Sequence, residues 1–238
     1  MPKGYYMVPH SRIIESNLCG TLSDDNRHRI ERVLRLRPGD KFIITDGLGN
    51  EAEAILEKNG YYSAESWYEP NREPNIEVTL FIALSKGDRI EWIIEKAVEM
   101  GVRKIVPVIT KNCIIKDPSR AKAERWQKIA ETAMIQCGGC ILPEVTAPTK
   151  LSDIDKPGSD VYPVLLHEET LDCSLKGLKE TECKKVWLAS GPEGGFTDDE
   201  VSFFKDSGWK TIWLGRRLFR MDTAPVVALA NILAPHWL

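Results

Sequence analysis

A glycine-rich segment, residues 190–196, has the composition of a loop that holds a ligand. It reads Ser-Gly-Pro-Glu-Gly-Gly-Phe and comes directly after a predicted buried strand over residues 186–189. Glycines at the carboxyl end of a strand let the backbone approach a ligand closely, and open α/β sheets bind ligands at those ends. The segment lacks the Gly-Lys-Ser/Thr of a P-loop and the GxGxxG spacing of a dinucleotide fingerprint. A tight strand-to-helix turn without a ligand fits the spacing equally well.

An arginine-rich segment, residues 214–224, has the same kind of placement. It reads Leu-Gly-Arg-Arg-Leu-Phe-Arg-Met-Asp-Thr-Ala, follows a predicted strand over residues 211–214 and leads into a predicted helix over residues 224–233. A helix N-terminus with arginines beside it favours anions, so this segment is a candidate clamp for RNA phosphate or for a substrate. The alternative is a solvated basic turn paired with nearby acids. We expect the two loops to follow neighbouring strands and to share one pocket.

A third candidate site is a cluster of arginines near the start of the chain. Residues 27–37 contain five arginines, one histidine and one glutamate, although the formal net charge of the chain is -3. A local positive patch of this kind favours contact with RNA phosphates. The alternative is a helical segment whose arginines pair with nearby acids. The candidate RNA-binding residues are Arg27, Arg29, Arg32 and Arg35.

The first part of the chain has the patterning of a small β domain. Residues 41–45 and 51–56 are typical of strands, and short strands joined by tight turns favour a small barrel. A polar stretch with two prolines, residues 69–75, is typical of a linker. We therefore expect two domains, residues 1–72 and residues 73–238.

The second part has the patterning of an α/β domain. A strand at 78–84, a helix at 88–100 and a strand at 105–109 make a βαβ unit, which predicts a parallel sheet. Thr197 is the expected N-cap of a helix, and Asp222 or Thr223 is the expected cap of the last helix. The other predicted elements are helices at 121–137 and 198–207 and a strand at 161–166.

The last helix has almost no polar face over residues 224–238. A helix that is apolar all round has to be buried on all sides. We expect a second copy of the chain to cover it, which predicts a homodimer; burial within a monomer is the alternative.

Composition excludes several classes of protein. No run of about 18 apolar residues occurs, and the first residues lack the apolar stretch of a signal peptide. The six cysteines are then expected to be reduced thiols of a cytoplasmic protein. A single Cys-Gly-Gly-Cys at residues 137–140 and four scattered histidines do not make a zinc site, so no metal is expected. A redox or zinc protein built on that pair is the weakest alternative.

The two loop segments together resemble the paired signature of the RsmE family, methyltransferases of the SPOUT superfamily that act on small-subunit (16S) ribosomal RNA. The similarity continues through residues 85–88, 95–102 and 105–108, and through residues 28–40 near the start. It therefore extends over nearly the whole chain.

This resemblance implies a PUA-like β-barrel over residues 1–72 that binds RNA, followed by an α/β domain over residues 73–238 with a C-terminal trefoil knot. It also implies S-adenosylmethionine as cofactor, a small-subunit rRNA or assembled small ribosomal subunit as partner, and methylation of N3 of one uridine. By motif match, the cofactor-binding candidates are Gly191, Gly195, Leu214, Gly215, Leu218, Thr223 and Ala224.

Methylation of uridine N3 requires loss of its proton, so a cation near the uracil oxygens would stabilise the developing anion. Arg220 is the candidate for that role, and Asp222 or Glu193 is the candidate to accept the proton or to orient the arginine. For Asp222 the alternative is a helix cap, and for Glu193 it is a structural bond to loop amides.

The sequence departs from the family pattern at two places. Asp222 stands where a glutamate is common, and Ile135-Gln136-Cys137-Gly138-Gly139 stands where Glu-Gln-Ser-Gly-Arg is frequent. Two other functions remain open: a related methyltransferase acting on another RNA, such as tRNA, and a catalytically silent RNA-binding assembly factor.

Overall fold

The computed structural model of the chain describes residues 5–7, 18–115, 120–168 and 183–237. Its contacts divide the chain into two compact units. The first consists of Met1–Glu73 and Met134–Leu142, and the second of Pro74–Ala133 and Pro143–Leu238. None of the helices in the described ranges is long and apolar enough to cross a membrane.

The first unit contains a five-stranded sheet of order β1-β3-β4-β5-β2. β1 runs parallel to β3, and the other pairs are antiparallel. The predicted strands at 41–45 and 51–56 are confirmed as β3 and β4. The strands are β1 (Tyr5–Met7), β2 (Cys19–Thr21), β3 (Lys41–Thr45), β4 (Glu51–Leu56) and β5 (Tyr61–Ala64).

Alternation along β3 and β4 sends apolar side chains into the core of this unit. Phe42, Ile44, Ala54 and Leu56 pack there with Ile30, which a short helical segment contributes. That segment consists of helix α1 (Asp24–His28) and a π-helical turn (Arg29–Val33). Burial of Ile30 therefore fixes which face of the arginine-bearing segment points outward.

The second unit is built on a parallel sheet of order β12-β10-β11-β6-β7-β8, and β9 also pairs with β7. The predicted βαβ unit and parallel sheet are confirmed. The strands are β6 (Glu77–Ala83), β7 (Lys104–Ile109), β8 (Glu144–Val145), β9 (Thr149–Lys150), β10 (Val161–Leu166), β11 (Lys185–Ser190) and β12 (Lys210–Ile212). The helices are α2 (Arg89–Glu99), α3 (Arg120–Cys137), whose last four residues belong to the first unit, α4 (Asp198–Asp206) and α5 (Thr223–Leu233). Short 3₁₀ turns occupy Lys58–Gly60 in the first unit and Leu151–Asp153 and Ala234–His236 in the second.

One expectation about this sheet is wrong. β11 and β12, which precede the two loop segments, are not neighbours, because β10 pairs with both of them and lies between. The chain order of the strands does not determine their order in a sheet with crossover connections. The loops nevertheless meet, because three parallel strands end at one edge of the sheet.

The two expected helix caps differ in outcome. Thr197 begins α4 with a capping box, in which the Glu200 carboxylate accepts the backbone N–H of Thr197 at 2.9 Å. Asp222 occupies the N-cap position of α5, but its backbone is helical (φ -77°, ψ -37°) and its side chain makes no capping bond. The predicted capping role of the Asp222 side chain is therefore wrong. Its carboxylate contacts the side chains of Arg220 and Thr223 instead.

The last helix buries one face within its own unit. Pro225, Ala228, Leu229, Ile232 and Leu233 are buried, and the intervening residues are half-buried. Beyond it, the indole of Trp237 donates to the carbonyl of Met100 at 3.2 Å and stays 47% exposed. A single copy of the chain thus covers only part of this apolar helix.

Candidate active site

A cleft of about 800 Å³ opens at the carboxyl ends of β10, β11 and β12 in the second unit. Three loops line it, each together with the last residue of its strand: residues 166–168 at the end of β10, residues 190–196 at the end of β11, and residues 212–221 at the end of β12 without Arg216. Arg89, Asp198 and Ala224 complete the lining. The two segments singled out in the sequence therefore form one cleft, as expected.

The glycine-rich loop needs two of its glycines for different reasons. A Cβ on Gly191 would lie 3.1 Å from the ring of Phe196, so only a residue without a side chain fits there easily. Gly195 has a φ of 68°, in the left-handed region that glycine adopts without strain. Its N–H donates to the carbonyl of Pro192 at 2.9 Å, which closes the turn.

In the arginine-rich loop, Gly215 has a φ of 122°, which favours glycine. Leu218 is 77% exposed and Phe219 is 39% exposed at the cleft. The carbonyl of Arg220 accepts the backbone N–H groups of Thr223 and Ala224, both at 2.9 Å, at the start of α5. These two bonds place the Arg220 side chain at the beginning of the helix.

Most of the predicted site residues meet in this cleft. Arg220 lines it together with the glycines and apolar residues of the two loops. Asp222 and Thr223 are not among its lining residues; they lie next to it, where Thr223 Oγ1 contacts Asp222 Oδ1 at 3.2 Å. The predicted cofactor-binding residues that line the cleft are Gly191, Gly195, Leu214, Gly215, Leu218 and Ala224.

Several lining residues were missed by reasoning from the sequence. Leu166 ends β10, and His167 and Glu168 follow it in a third loop that carries no glycine motif. Arg89 begins α2 and forms an ion pair with Glu193 of the glycine-rich loop. The available signal was position after a strand of the parallel sheet. His167 and Glu168 follow β10, and Arg89 comes after β6 at the start of α2.

The arginine cluster lies in the first unit. Arg27 pairs with Glu31 at 3.1 Å, which is the arrangement of the structural alternative. Arg29 is half-buried, whereas Arg32 and Arg35 are exposed. Arg32, Arg35 and Arg37 are therefore the exposed arginines of this cluster.

The Cys-Gly-Gly-Cys segment also belongs to the first unit. The Sγ atom of Cys140 lies 3.2 Å from a carboxylate oxygen of Glu73. Burial raises the pKa of the Cys140 thiol to about 12, and the bond to Glu73 adds to the rise. The thiol therefore stays protonated near neutral pH and is a poor nucleophile. In the described ranges, no three His, Cys, Asp or Glu residues are grouped so that they could hold a metal; Cys173 lies outside these ranges.

Comparison with known proteins agrees with this architecture. A family model described as an RNA methyltransferase domain matches residues 71–233, and one described as an RNA methyltransferase PUA domain matches residues 22–60. The chain is 37% identical to ribosomal RNA small subunit methyltransferase E of Synechocystis, covering 96% of this chain and 76% of that protein. It is 29% identical to the Bacillus subtilis protein of the same name, covering 96% and 94%.

A solved structure is similar over the same extent. The crystal structure of a ribosomal RNA small subunit methyltransferase E from Neisseria gonorrhoeae, bound to S-adenosyl methionine, superposes with a TM-score of 0.86 at 27% identity. The match covers 98% of this chain and 97% of that one. The chain therefore belongs to the RNA methyltransferase family of ribosomal RNA small subunit methyltransferase E.

Proposed function

We propose that this chain is a cytoplasmic enzyme that transfers a methyl group from S-adenosylmethionine to N3 of a specific uridine in small-subunit (16S) rRNA. The observation that carries the proposal is the cleft in which two glycine-containing loops and an exposed arginine meet at the ends of parallel strands. The names of its relatives support small-subunit rRNA as the substrate class.

The cleft fits the cofactor. Its volume of about 800 Å³ lies within the usual range for small-molecule sites. A Cβ on Gly215 would meet no atom within 4 Å, so a ligand can approach the backbone there closely. We assign Gly191, Gly195, Leu214, Gly215, Leu218 and Ala224 to cofactor binding, with Thr223 as a support at the start of α5. When bound, S-adenosylmethionine supplies an activated methyl group on a positively charged sulfur.

The protein has to position the uracil and to accept the proton that leaves N3. Removal of the N3 proton leaves negative charge on the uracil ring and its carbonyl oxygens. Arg220 lines the cleft with its guanidinium exposed, which suits stabilisation of that charge. Asp222 orients Arg220 through their ion pair, and Glu193, which also lines the cleft, accepts the proton. Arg89 holds Glu193 in place.

The RNA has to present an unstacked base to this cleft. We propose that residues 1–72 form a PUA-like β-barrel that binds RNA through Arg27, Arg29, Arg32 and Arg35. Exposure of Arg32 and Arg35 supports this assignment. Residues 73–238 would then be the catalytic domain, of SPOUT type with a C-terminal trefoil knot. The partly covered apolar face of α5 supports a homodimer as the working state.

The test is methylation of small ribosomal subunits with isotopically labelled S-adenosylmethionine, followed by nucleoside analysis. We expect labelled 3-methyluridine in the 16S rRNA. Label transferred to tRNA but not to small subunits would contradict the assigned substrate and favour a related methyltransferase.

Failure to bind S-adenosylmethionine, measured by calorimetry on the same preparation, would contradict the enzymatic proposal altogether. RNA binding retained under that outcome would favour the silent assembly factor. Gel filtration with light scattering tests the homodimer independently, with a mass of one chain as the contradicting result.

A further inference from the structure

The loop after β7 is joined to the glycine-rich loop by a side chain outside both sequence motifs. Asn112 Nδ2 donates to the carbonyl of Gly194 at 3.1 Å and to the carbonyl of Gly195 at 3.0 Å. One amide group therefore holds two consecutive peptide units of the loop that lines the cleft.

Asn112 packs directly against this loop. A Cβ on Gly194 would lie 3.4 Å from the Cβ of Asn112 and 3.6 Å from its Nδ2 atom, at ordinary van der Waals distance. The second carbonyl that Asn112 binds belongs to Gly195, whose positive φ is a conformation that glycine adopts without strain.

A second pair of contacts joins the same two loops. The buried Glu200 accepts the backbone N–H of Lys111 at 2.6 Å through one carboxylate oxygen. Its other oxygen accepts the backbone N–H of Thr197, where the glycine-rich loop enters α4. The loop is thus held at Gly194 and Gly195 by Asn112 and at its junction with α4 by Glu200.

We propose that Asn112 is a positioning residue for the cofactor, which fixes the glycine-rich loop in its binding conformation before S-adenosylmethionine arrives. The inference rests on the proposed function of this cleft. Glycine-rich backbone loses much conformational entropy when it becomes ordered, and that loss weakens ligand binding unless the loop is already ordered. The two hydrogen bonds from Asn112 provide this order in the free protein.

The test compares three variants of the full-length chain. Asn112→Ala removes both donated bonds, and Asn112→Asp keeps the side-chain shape but replaces the amide donor with a carboxylate, which only accepts. Ile114→Ala is the matched control, because Ile114 is 64% exposed in the same segment. The measurements are the calorimetric Kd for S-adenosylmethionine and the amide hydrogen exchange of residues 194–196 in the free protein.

We expect both Asn112 variants to raise the Kd about tenfold, roughly what two partly exposed hydrogen bonds contribute. Exchange at residues 194–196 should become faster, and the methylation defect should appear more in the KM for the cofactor than in kcat. Ile114→Ala should match the wild type in every measurement.

Wild-type Kd and wild-type exchange in both Asn112 variants would overturn the positioning role. A wild-type chain that fails to bind S-adenosylmethionine would instead overturn the proposed function. In that case the exchange data alone decide whether Asn112 orders the loop, and unchanged exchange would refute it.

Discussion

Arg220 and Asp222 form an ion pair, 3.4 Å between nitrogen and oxygen, beside the cleft. The side chain of Arg220 is 71% exposed, whereas that of Asp222 is only 19% exposed. The carboxylate is thus the fixed partner and the guanidinium the one that can reach a substrate. An ion pair with such an exposed guanidinium contributes little to stability, so we assign it the role of orienting the Arg220 side chain.

Replacement of Arg220 by alanine should lower kcat about 100-fold, the loss typical of one donor to a developing anion, and leave the Kd for S-adenosylmethionine near the wild-type value. Single-turnover methylation and calorimetry measure the two quantities. Arg216→Ala is the control, because Arg216 is exposed on the same loop but does not line the cleft. Equal activity of the Arg220 and Arg216 variants would contradict the catalytic role.

Gly195 and Gly208 offer a matched pair for the glycine-rich loop. Both have positive φ (68° and 87°), and a Cβ on either would meet no atom within 4 Å. Alanine at either position should lower the free energy of unfolding by about 1 kcal/mol, the cost of a side chain in the left-handed region. Only Gly195→Ala should also weaken binding of S-adenosylmethionine. Equal Kd values for the two variants would show that Gly195 is merely structural.

Glu200 should matter for stability because it joins two loops and caps α4. Glu200→Ala removes the acceptor of the Lys111 and Thr197 N–H groups and should lower the free energy of unfolding by about 2 kcal/mol. Denaturant unfolding measures the change. Asp199→Ala removes an exposed acid from the same helical turn and should cost less than about 0.5 kcal/mol. Similar losses in the two variants would contradict the assigned contacts.

The exposed arginines of the first unit should contribute to RNA affinity through phosphate contacts. Replacing Arg32 and Arg35 together by glutamine should reduce the slope of log K against log salt by about 1.4, for two contacts to single-stranded RNA. Fluorescence anisotropy over a range of salt concentrations gives the slope. Lys41→Gln is the control, since Lys41 pairs with Glu53 in the same unit. A double variant with the wild-type slope would refute the assignment.

Cys140 and Cys137 should differ in reactivity although only two glycines lie between them in the sequence. The pKa of the Cys140 thiol, raised to about 12 by burial and by Glu73, keeps it protonated at pH 8. Alkylation depends on the thiolate, so Cys140 should stay unmodified while the exposed Cys137 reacts. Peptide mass spectrometry after brief iodoacetamide treatment measures both sites. Equal modification of the two cysteines would contradict the protonated, buried state.

Sequence patterning by itself determined the first βαβ unit of the parallel sheet and the two loops that carry the sequence motifs. The apolar run of β6, the helical spacing of α2 and the return to a buried strand in β7 specify a βαβ unit, because burial imposes those periods. Glycines and arginines directly after predicted strands indicated the two loops. Glycine lets the backbone approach a ligand closely, and arginine favours anions.

The tertiary structure alone decided which strands are neighbours and which side chains reach the cleft. β10 lies between β11 and β12, so a third loop with His167 and Glu168 joins the site without any motif of its own. Asn112 meets the glycine-rich loop across 82 positions of sequence, and Asp222 turns from the helix backbone toward Arg220. These contacts depend on crossover connections and on the packing of distant segments, and local periodicity carries no information about either.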